Sequence, residues 1–304
     1  MEIDHVEAFL AIVRAGGFTR ASSALHLSQP AISRRIRLLE RELGAPLFER
    51  LGSGVLLTDA GRAFQPHAEA LAAAMRDAVG AVAAVRGVDS GKVTLAVVGT
   101  LASSALTERL RRFRETHGGI DLRIRTALST EVSALVRRGD AALGLRYGAD
   151  PDRELVSEVV FREPMVAVCS SRHPLARRRR VAAAALAAER WLSFPPQSRS
   201  TREPYASALE RALASCGVHD PEIVPIDSLT AQKRMVEAGF GLALLAQSAV
   251  DEEVRGGTLA VLRVAGLRAS VDVALIRRRR AFESGATRAL AALLAAWPKR
   301  PGRG

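Results

Sequence analysis

Hydrophobic residues near the start of the chain recur every three or four positions, a spacing that predicts α-helices. The first helix is predicted over residues 3–15, with one apolar face made of Val6, Phe9, Leu10 and Val13. A second, shorter helix is predicted over residues 19–25, and a tight turn at residues 26–28 follows it. Together with the next helix, these segments predict a compact helix-turn-helix arrangement.

The third helix, predicted to run from Ser28 to Leu43, has two dissimilar faces. Ser28 can cap its first turn, Pro30 suits that turn because it needs no N–H donor, and Gly44 can adopt the left-handed conformation that ends a helix. The outer face is polar, and residues 18–37 contain four arginines and no acid. The inner positions, which we expect to be buried, are Ile32, Ile36, Leu39 and Leu43.

The polar face of this helix is typical of a segment that reads the major groove of DNA. Gln29 can form two hydrogen bonds with adenine and Arg34 can form two with guanine, whereas Pro30 can contact a thymine methyl group. An ordinary amphipathic surface helix explains each feature alone, but not the cap, turn, core spacing and acid-free face together. The base-facing or groove-lining set is Ser28, Gln29, Pro30, Ser33 and Arg34, and the expected phosphate contacts are Thr19, Arg35 and Arg37.

Residues 46–57 predict a β-hairpin whose turn lies around Gly52–Gly54. A ribbon next to a helix-turn-helix is a wing, in which Arg50 can reach a phosphate or the minor groove. A plain hairpin that closes the core of the domain explains the same residues. Both alternatives for Arg50 therefore stay open.

A long helix is predicted over residues 59–86, after Thr58 as its capping residue. Its apolar positions between Phe64 and Val85 recur at heptad-like spacing, and many of them are alanine. Pro66 is expected to bend the start of the helix. Because such a stripe requires a partner helix, we expect the chain to dimerise through this segment, which also matches the two half-sites that helix-turn-helix proteins usually bind.

From residue 92 onward, short apolar strands alternate with helices, which predicts βαβ units and a mostly parallel sheet. The strands are predicted at residues 92–98, 120–127, 141–146, 165–170, 191–194, 223–226, 242–246, 258–264 and 270–276. The helices are predicted at residues 103–116, 130–138, 181–188, 202–215, 229–238 and 284–297. The weakly patterned stretches near Arg162–Glu163 and Gly266–Leu267 fit crossovers between two lobes, with a ligand in the cleft at the carboxyl ends of the strands.

Composition and net charge indicate the class of protein and the kind of partner. The chain has 304 residues, of which 48% are hydrophobic and 25% charged, as expected of a soluble globular protein with two or more domains. The net charge of +12 favours a polyanionic partner. However, residues 1–58 hold seven arginines and six acids and so net only +1, and residues 59–88 net zero. The excess lies in residues 89–304, partly in the runs Arg177–Arg180 and Arg277–Arg280, which we interpret as solvated loop and strand ends.

Several other classes of protein find little support. Two cysteines, Cys169 and Cys216, indicate a reducing compartment rather than a disulfide framework, and a redox pair is a minor alternative. The six histidines lack metal-ligand spacing, and no phosphate loop or nucleophile elbow occurs. The acidic N-terminus is not a signal peptide, and no apolar run is long enough to span a membrane. We therefore expect a cytoplasmic protein with no metal, cofactor or enzymatic activity.

The stretch Ala24–Arg50, ALHLSQPAISRRIRLLERELGAPLFER, resembles the LysR-type transcriptional regulators. LTDAG at the start of the long helix supports the resemblance, and VTLAVVGT, LVRRGDAALGL and VEAGFGLALL extend it more weakly over the whole chain. It implies an α/β protein with an N-terminal winged helix-turn-helix, a long linker helix and a two-lobed effector domain similar to periplasmic binding proteins. The implied domains are residues 1–58, 59–88 and 89–304, with lobe I at 89–162 and 267–304 and lobe II at 163–266.

The resemblance implies a sequence-specific DNA-binding regulator whose activity a small co-inducer or co-repressor modulates. The implied partners are double-stranded promoter DNA, further copies of the chain in a homodimer or homotetramer, and RNA polymerase. Two features depart from the family pattern. The wing turn is the glycine-rich GSG, where a basic residue is more usual, and the strand at 141–146 reads AALGLR instead of an acid-led LDLAI-like run.

The effector site is inferred from position. Helix N-termini offer free N–H groups that favour anions such as carboxylates, and by resemblance family members hold their effectors at these places. The candidate residues are Thr100, Ser103, Ser104, Ser129, Thr130, Ser200, Thr201 and Arg202, with Arg146 and Phe240 as weaker candidates. A role as helix caps explains the serines and threonines equally well.

Two other function classes fit the sequence less well. A solute-binding or enzymatic α/β protein predicts ligand turnover or an export signal, and the sequence shows neither. A structural nucleoid protein requires broad basic faces and no ligand cleft, whereas the DNA-reading segment is nearly neutral.

Overall fold

The chain folds into two compact units, one built on the N-terminal helices and hairpin and the other on the remaining strands and helices. This computed structural model describes residues 1–51, 54–84, 91–102, 104–195 and 206–297. Within those ranges, no helix has both the length and the apolar character needed to cross a lipid bilayer.

Three helices and a hairpin form what we call the head of the first unit. Its elements are α1 (Ile3–Ala15), α2 (Phe18–Leu25), α3 (Gln29–Leu43), β1 (Phe48–Leu51) and β2 (Gly54–Leu57). The predicted helices and hairpin are thereby confirmed, and Val6, Phe9, Ile32, Ile36 and Leu39 are buried together. Leu43 is a correction, because it is 41% exposed rather than buried. It is the final residue of α3, where the inner face of the helix extends beyond the core.

Local signals set both ends of α3. The Ser28 hydroxyl accepts a hydrogen bond from the Ala31 N–H at 3.3 Å, and Pro30 lies in the first turn. Gly44 ends the helix with a φ of 74°, which a side chain would disfavour. The predicted cap and stop are therefore both confirmed.

The long helix α4 (Asp59–Ala84) follows the hairpin, and its first turn is fixed to the head. Thr58 caps it, since the Gly61 N–H donates to the Thr58 hydroxyl at 2.9 Å. Phe9 contacts Phe64 of α4 and Phe48 of β1, with ring centroids 5.1 and 5.2 Å apart. Farther along α4, the large apolar side chains are exposed: Leu71, Met75, Val79 and Val82.

The second unit is a sheet flanked by helices. Its elements are β3 (Gly91–Val98), α5 (Ser104–Thr116), β4 (Ile120–Ala127), α6 (Ser129–Arg137), β5 (Leu143–Tyr147), β6 (Leu155–Ser170), β7 (Trp191–Ser193), α7 (Ala206–Ser215), β8 (Ile223–Pro225), α8 (Leu229–Glu237), β9 (Leu242–Ala246), α9 (Gln247–Arg255), β10 (Leu259–Val261), β11 (Ala269–Arg278) and α10 (Gly285–Ala295). Among the described residues nine strands are joined in the order β4-β3-β5-β11-β6-β9-β7-β8, with β10 beside β6.

This sheet is parallel at its two ends and antiparallel in its middle. β3 is parallel to β4 and β5, and β7 is parallel to β8 and β9. β6 and β11 are antiparallel to each other, from Leu155 opposite Arg278 to Met165 opposite Ala269. The prediction of a mostly parallel sheet is therefore correct for each lobe and wrong for the centre. There, two long strands cross from one lobe to the other in opposite directions.

The remaining differences are local. The stretch around Arg162–Glu163 is part of the long strand β6, which the sequence pattern did not reveal because charged residues interrupt its apolar positions. The helix predicted at 181–188 is only a 3₁₀ turn at Ala183–Leu186, and Val181 instead forms a β-bridge with Val264. Helix α9 was not predicted. The wing turn at 52–53, the last residues of the predicted long helix at 85–86 and the start of the helix predicted at 202 lie outside the described residues.

Candidate nucleic-acid interface and effector site

The outer face of α3 gathers most of the residues predicted to read DNA. Ser28, Gln29, Pro30, Arg34 and Arg37 are exposed, and Ser33 is half-buried among them. Residues four apart on a helix point in nearly the same direction, so Gln29, Ser33 and Arg37 share one face. The buried inner positions lie on the other side of the helix. Thr19 is exposed on α2, the preceding helix.

The arginines of the head differ in their partners. Within the described parts of the chain, neither Arg34 nor Arg37 has a carboxylate within ion-pair distance. Arg35 instead donates from Nη2 to Asp4 Oδ2 at 2.7 Å. This pair ties α3 to α1 and offsets the charge of Arg35, whose predicted phosphate contact stays a prediction. Arg20 donates to the Gly16 carbonyl at 2.9 Å.

For Arg50 in the wing, only the backbone is described. Arg50 lies in β1 opposite Val55, and its side chain is outside the described part of the structure. The two alternatives for Arg50 therefore stay open.

In the second unit, the carboxyl ends of parallel strands bring several predicted effector residues to one edge of the sheet. Val98, which ends β3, lies opposite Ala127, which ends β4. Thr100 follows in a 3₁₀ turn after β3, and Ser129 begins α6 after β4. The Thr100 hydroxyl donates to the Tyr147 hydroxyl at the end of β5, 3.0 Å away.

Ser129 has the most distinctive environment at this edge. It is fully buried, and its hydroxyl has no hydrogen-bond partner among the described atoms. It is the first residue of α6, where backbone N–H groups lack helical acceptors. A buried hydroxyl without a partner is costly, so a ligand atom that pairs with it would be favoured.

Arg146 lies near the carboxyl end of β5, but its charge is already balanced. Its Nη1 donates to the Ser133 hydroxyl at 2.8 Å and forms an ion pair with Asp150. Both side chains are buried. Arg146 therefore links β5 to α6 through Ser133, and its predicted contact with the effector stays a prediction.

The other predicted effector residues do not join this group. Phe240 is 53% exposed and precedes β9, at the amino end of that strand, whereas Ala246 ends it. Ser104 begins α5, but its side chain is outside the described structure. The residues that lie wholly outside the described structure are Ser103, Ser200, Thr201 and Arg202.

The sequence interpretation missed Tyr147, Ser133 and Asp150, which surround Thr100 and Arg146. Ser133 stands four residues after Ser129 on the same helix, which was an available signal. It also missed Glu163, whose buried carboxylate accepts a hydrogen bond from the Ser248 N–H at 3.1 Å, at the start of α9. No local pattern pointed to this contact, because the two residues are far apart in sequence.

The surroundings of Cys169 disfavour redox chemistry at its thiol. Burial, together with the negative charge of Glu189, raises the pKa of the Cys169 thiol to about 11. Cys216 is half-buried, and its Sγ donates to the carbonyls of Ala212 and Leu213. Across the described ranges, no group of three or more His, Cys, Asp or Glu side chains could hold a metal ion.

Comparison with known proteins identifies the family. Residues 3–62 match the model for bacterial regulatory helix-turn-helix proteins of the lysR family, and residues 86–299 match the LysR substrate binding domain. The regulator CfxR of Cupriavidus necator is 31% identical over 268 residues, which cover 88% of this chain and 82% of that protein. The RuBisCO operon transcriptional regulator of Allochromatium vinosum is 29% identical over 266 residues, covering 88% and 86%.

Solved structures share the fold. CbnR, a LysR family transcriptional regulator, superimposes with a TM-score of 0.68 at 23% identity, covering 98% of this chain and 100% of that one. A full-length variant of OxyR from Pseudomonas aeruginosa gives a TM-score of 0.68 at 19% identity, with 97% and 93% coverage. The chain therefore belongs to the LysR family and is a DNA-binding transcriptional regulator, not an enzyme, with a helix-turn-helix head and a substrate-binding domain for small-molecule effectors.

Proposed function

We propose that α3 enters the major groove of an operator and reads bases through Gln29, Pro30, Ser33 and Arg34. The observation that carries this proposal is the outer face of α3, exposed along its length and held from behind by the buried Ile32, Ile36 and Leu39. Arg37 and Thr19 fit phosphate contacts. Ser28 both caps α3 and lies at the groove-facing end of the helix.

Replacing Arg34 with alanine tests the base-reading role. A bidentate contact to guanine contributes about 1–3 kcal/mol, so Arg34→Ala should weaken specific binding by that amount and relax selectivity at one position. The measurement is a footprint and a binding isotherm on the promoter DNA of the chain's own gene. Arg179→Ala, which removes an equal charge from an exposed position in the second unit, is the matched control. An unchanged footprint and affinity for Arg34→Ala would remove Arg34 from the base-reading set.

We further propose that two copies associate through α4 and that two such dimers can form a tetramer. The support is the exposed stripe Leu71, Met75, Val79 and Val82, which follows helical spacing on a helix whose first turn is fixed to the head. Exposed contiguous apolar faces of this kind mark association sites. The proposal also includes a cytoplasmic location, contact with RNA polymerase at the promoter, and the domain boundaries at residues 58 and 88.

We propose that the effector is a small carboxylate bound between the lobes, with its negative end at the start of α6. The support is the unsatisfied, buried hydroxyl of Ser129 beside the backbone N–H groups of that helix. Because Asp150 balances Arg146, the charge of the effector would be met by backbone N–H groups rather than by this guanidinium. Thr100 and Thr130 lie at the same edge of the sheet.

Calorimetry with pyruvate, succinate and citrate, and with glycerol and glucose as neutral compounds, tests the effector class. At least one carboxylate should bind, and Ser129→Ala should weaken that binding. Ser215→Ala on α7 is the control, because its hydroxyl is already bonded to the Ala212 carbonyl. Heat from a neutral compound and none from any carboxylate would contradict the anionic class.

A further inference from the structure

A third arginine extends the exposed row on the outer face of α3. Residues 34, 37 and 41 stand three and four positions apart, so their side chains share one face of the helix. This face points away from the buried Ile32, Ile36 and Leu39. Arg41 is exposed like Arg34 and Arg37, but sequence interpretation gave it no role.

The row is not neutralised by its own surroundings. In the described residues none of the three arginines has a carboxylate within 4.0 Å, in contrast with Arg35 and its partner Asp4. The two acids beside Arg41 are engaged elsewhere. Glu40 accepts a hydrogen bond from the Leu47 N–H at 2.7 Å, and Glu42 lies 3.2 Å from the amino group of Met1.

Like charges at this spacing repel each other on an isolated helix. Arg37 and Arg41 are four residues apart and stand on the same face, so their positive charges repel each other. An anion bound between two guanidinium groups turns this repulsion into attraction. The guanidinium group is also the side chain that best matches the geometry of a phosphate.

The three arginines line one open groove of about 800 Å³ on the head. Glu40 and the turn residues Gly44, Ala45 and Pro46 complete its lining. The groove therefore runs from the part of α3 that carries Arg34 to the end of the helix. Its walls provide cationic side chains along its length, which suits an extended anion better than a compact one.

The dimensions of the helix suggest what that anion is. A rise of about 1.5 Å per residue separates the α-carbons of Arg34 and Arg41 by roughly 10 Å along the axis. The major groove of B-DNA is about 12 Å wide. With Arg34 at base edges near the middle of the groove, a helix that crosses the groove brings Arg41 to its wall, where the phosphates lie.

We propose that Arg41, together with Arg37, binds a backbone phosphate of the DNA at the wall of the major groove. This inference rests on the proposed entry of α3 into that groove. It assigns a phosphate site to the C-terminal half of a helix whose N-terminal half reads bases. Such a site strengthens binding to every sequence and adds no selectivity of its own.

The test compares two labelled duplexes: a 40-base-pair duplex of random sequence and the footprinted promoter fragment of the chain's own gene. Arg41→Ala should weaken binding to both by the same factor. The slope of log affinity against log salt should become shallower by about 0.9 for each subunit bound. Raising the salt from 50 to 200 mM should therefore weaken DNA binding by Arg41→Ala about threefold less, for each subunit bound, than it weakens binding by the parent protein. Arg41→Lys should restore most of the slope, and Arg179→Ala should change neither quantity.

Three outcomes would overturn the proposal. One is an Arg41→Ala protein with unchanged affinity and salt slope on both duplexes. A second is a loss confined to the promoter fragment, which would make Arg41 a base reader. A third is normal DNA binding combined with lost promoter activation, which would point to an acidic protein surface as the partner. Equal melting temperatures of the variants and the parent protein exclude misfolding. If the parent protein binds the promoter no better than the random duplex, specific reading by α3 fails, while the random duplex still tests Arg41.

Discussion

At the scale of single residues, the side chains of the head divide according to how far away their partners lie in sequence. Ser28 and Gly44 act within one helical turn, so their roles as cap and stop were predictable from residue type and spacing. The pair of Arg35 with Asp4 joins residues 31 positions apart, and no local pattern reveals it. The same holds in the second unit. Arg146 was predictable as a polar residue at a strand end, but its neutralisation by Asp150 was not.

Gly61 lies so close to the backbone of Leu47 that it leaves no room for a side chain. A β-carbon at this position would lie 2.2 Å from the Leu47 carbonyl oxygen, which is backbone and cannot move aside easily. Gly61→Ala should therefore destabilise the protein by about 2–3 kcal/mol through overpacking. Urea unfolding followed by circular dichroism measures the change.

Gly80 is the matched control, because it lies on the same helix and a β-carbon there meets nothing within 4 Å. Gly80→Ala should stabilise the protein by roughly 0.5–1 kcal/mol, since glycine loses more backbone entropy in a helix. Shifts of the same sign in both variants would show that the approach of α4 to Leu47 does not matter.

At the scale of elements, periodicity predicted those helices and strands that have one apolar side or are uniformly apolar. Strand β9, for example, has the predicted bounds of Leu242–Ala246 and is buried throughout. Strand β6 was recognised only from Met165 onward, because the part before Met165 includes Glu158, Arg162 and Glu163. These charged residues are compatible with a strand only through the tertiary pairing with β11. The parallel or antiparallel direction of each strand likewise depends on the route of the whole chain.

The exposed apolar stripe of α4 can be tested by placing charges in it. Met75→Glu combined with Val82→Glu places two carboxylates in the exposed apolar stripe, so self-association should fall by at least tenfold through burial of unpaired charge. Size-exclusion chromatography with light scattering should show a monomer where the parent protein is a dimer or tetramer. The control is Val261→Glu, an exposed apolar position in the second unit. Unchanged mass for the double variant would locate the interface elsewhere.

In the whole molecule, most of the net positive charge lies outside the segment that is expected to contact DNA. The chain carries +12, but residues 1–58 contribute only +1. We therefore expect general attraction to DNA to be weak at the head, and binding to depend on the few arginines without acid partners. A single head should hold DNA poorly, whereas two linked heads bind with a high effective concentration at the second half-site. The sequence revealed this imbalance, but only the structure distinguishes Arg34, Arg37 and Arg41 from the paired Arg35.

This dependence on two heads can be measured. Scrambling one half-site of the footprinted promoter fragment should lower the affinity of the parent protein by about a hundredfold. The variant with Met75→Glu and Val82→Glu should bind the intact and scrambled fragments almost equally. If the parent protein also binds both fragments equally, a single head is sufficient and the cooperative scheme is wrong.

The paired strands β6 and β11 have a mechanical consequence. They pass continuously between the lobes, and their register shifts between Val273 and Ala274. A shift of this kind increases the local twist and bends the ribbon. The lobes are therefore joined by a bent, hydrogen-bonded ribbon of two strands rather than by a single flexible segment. Any change in the angle between the lobes would have to twist this ribbon, so we expect the ribbon to limit such a change.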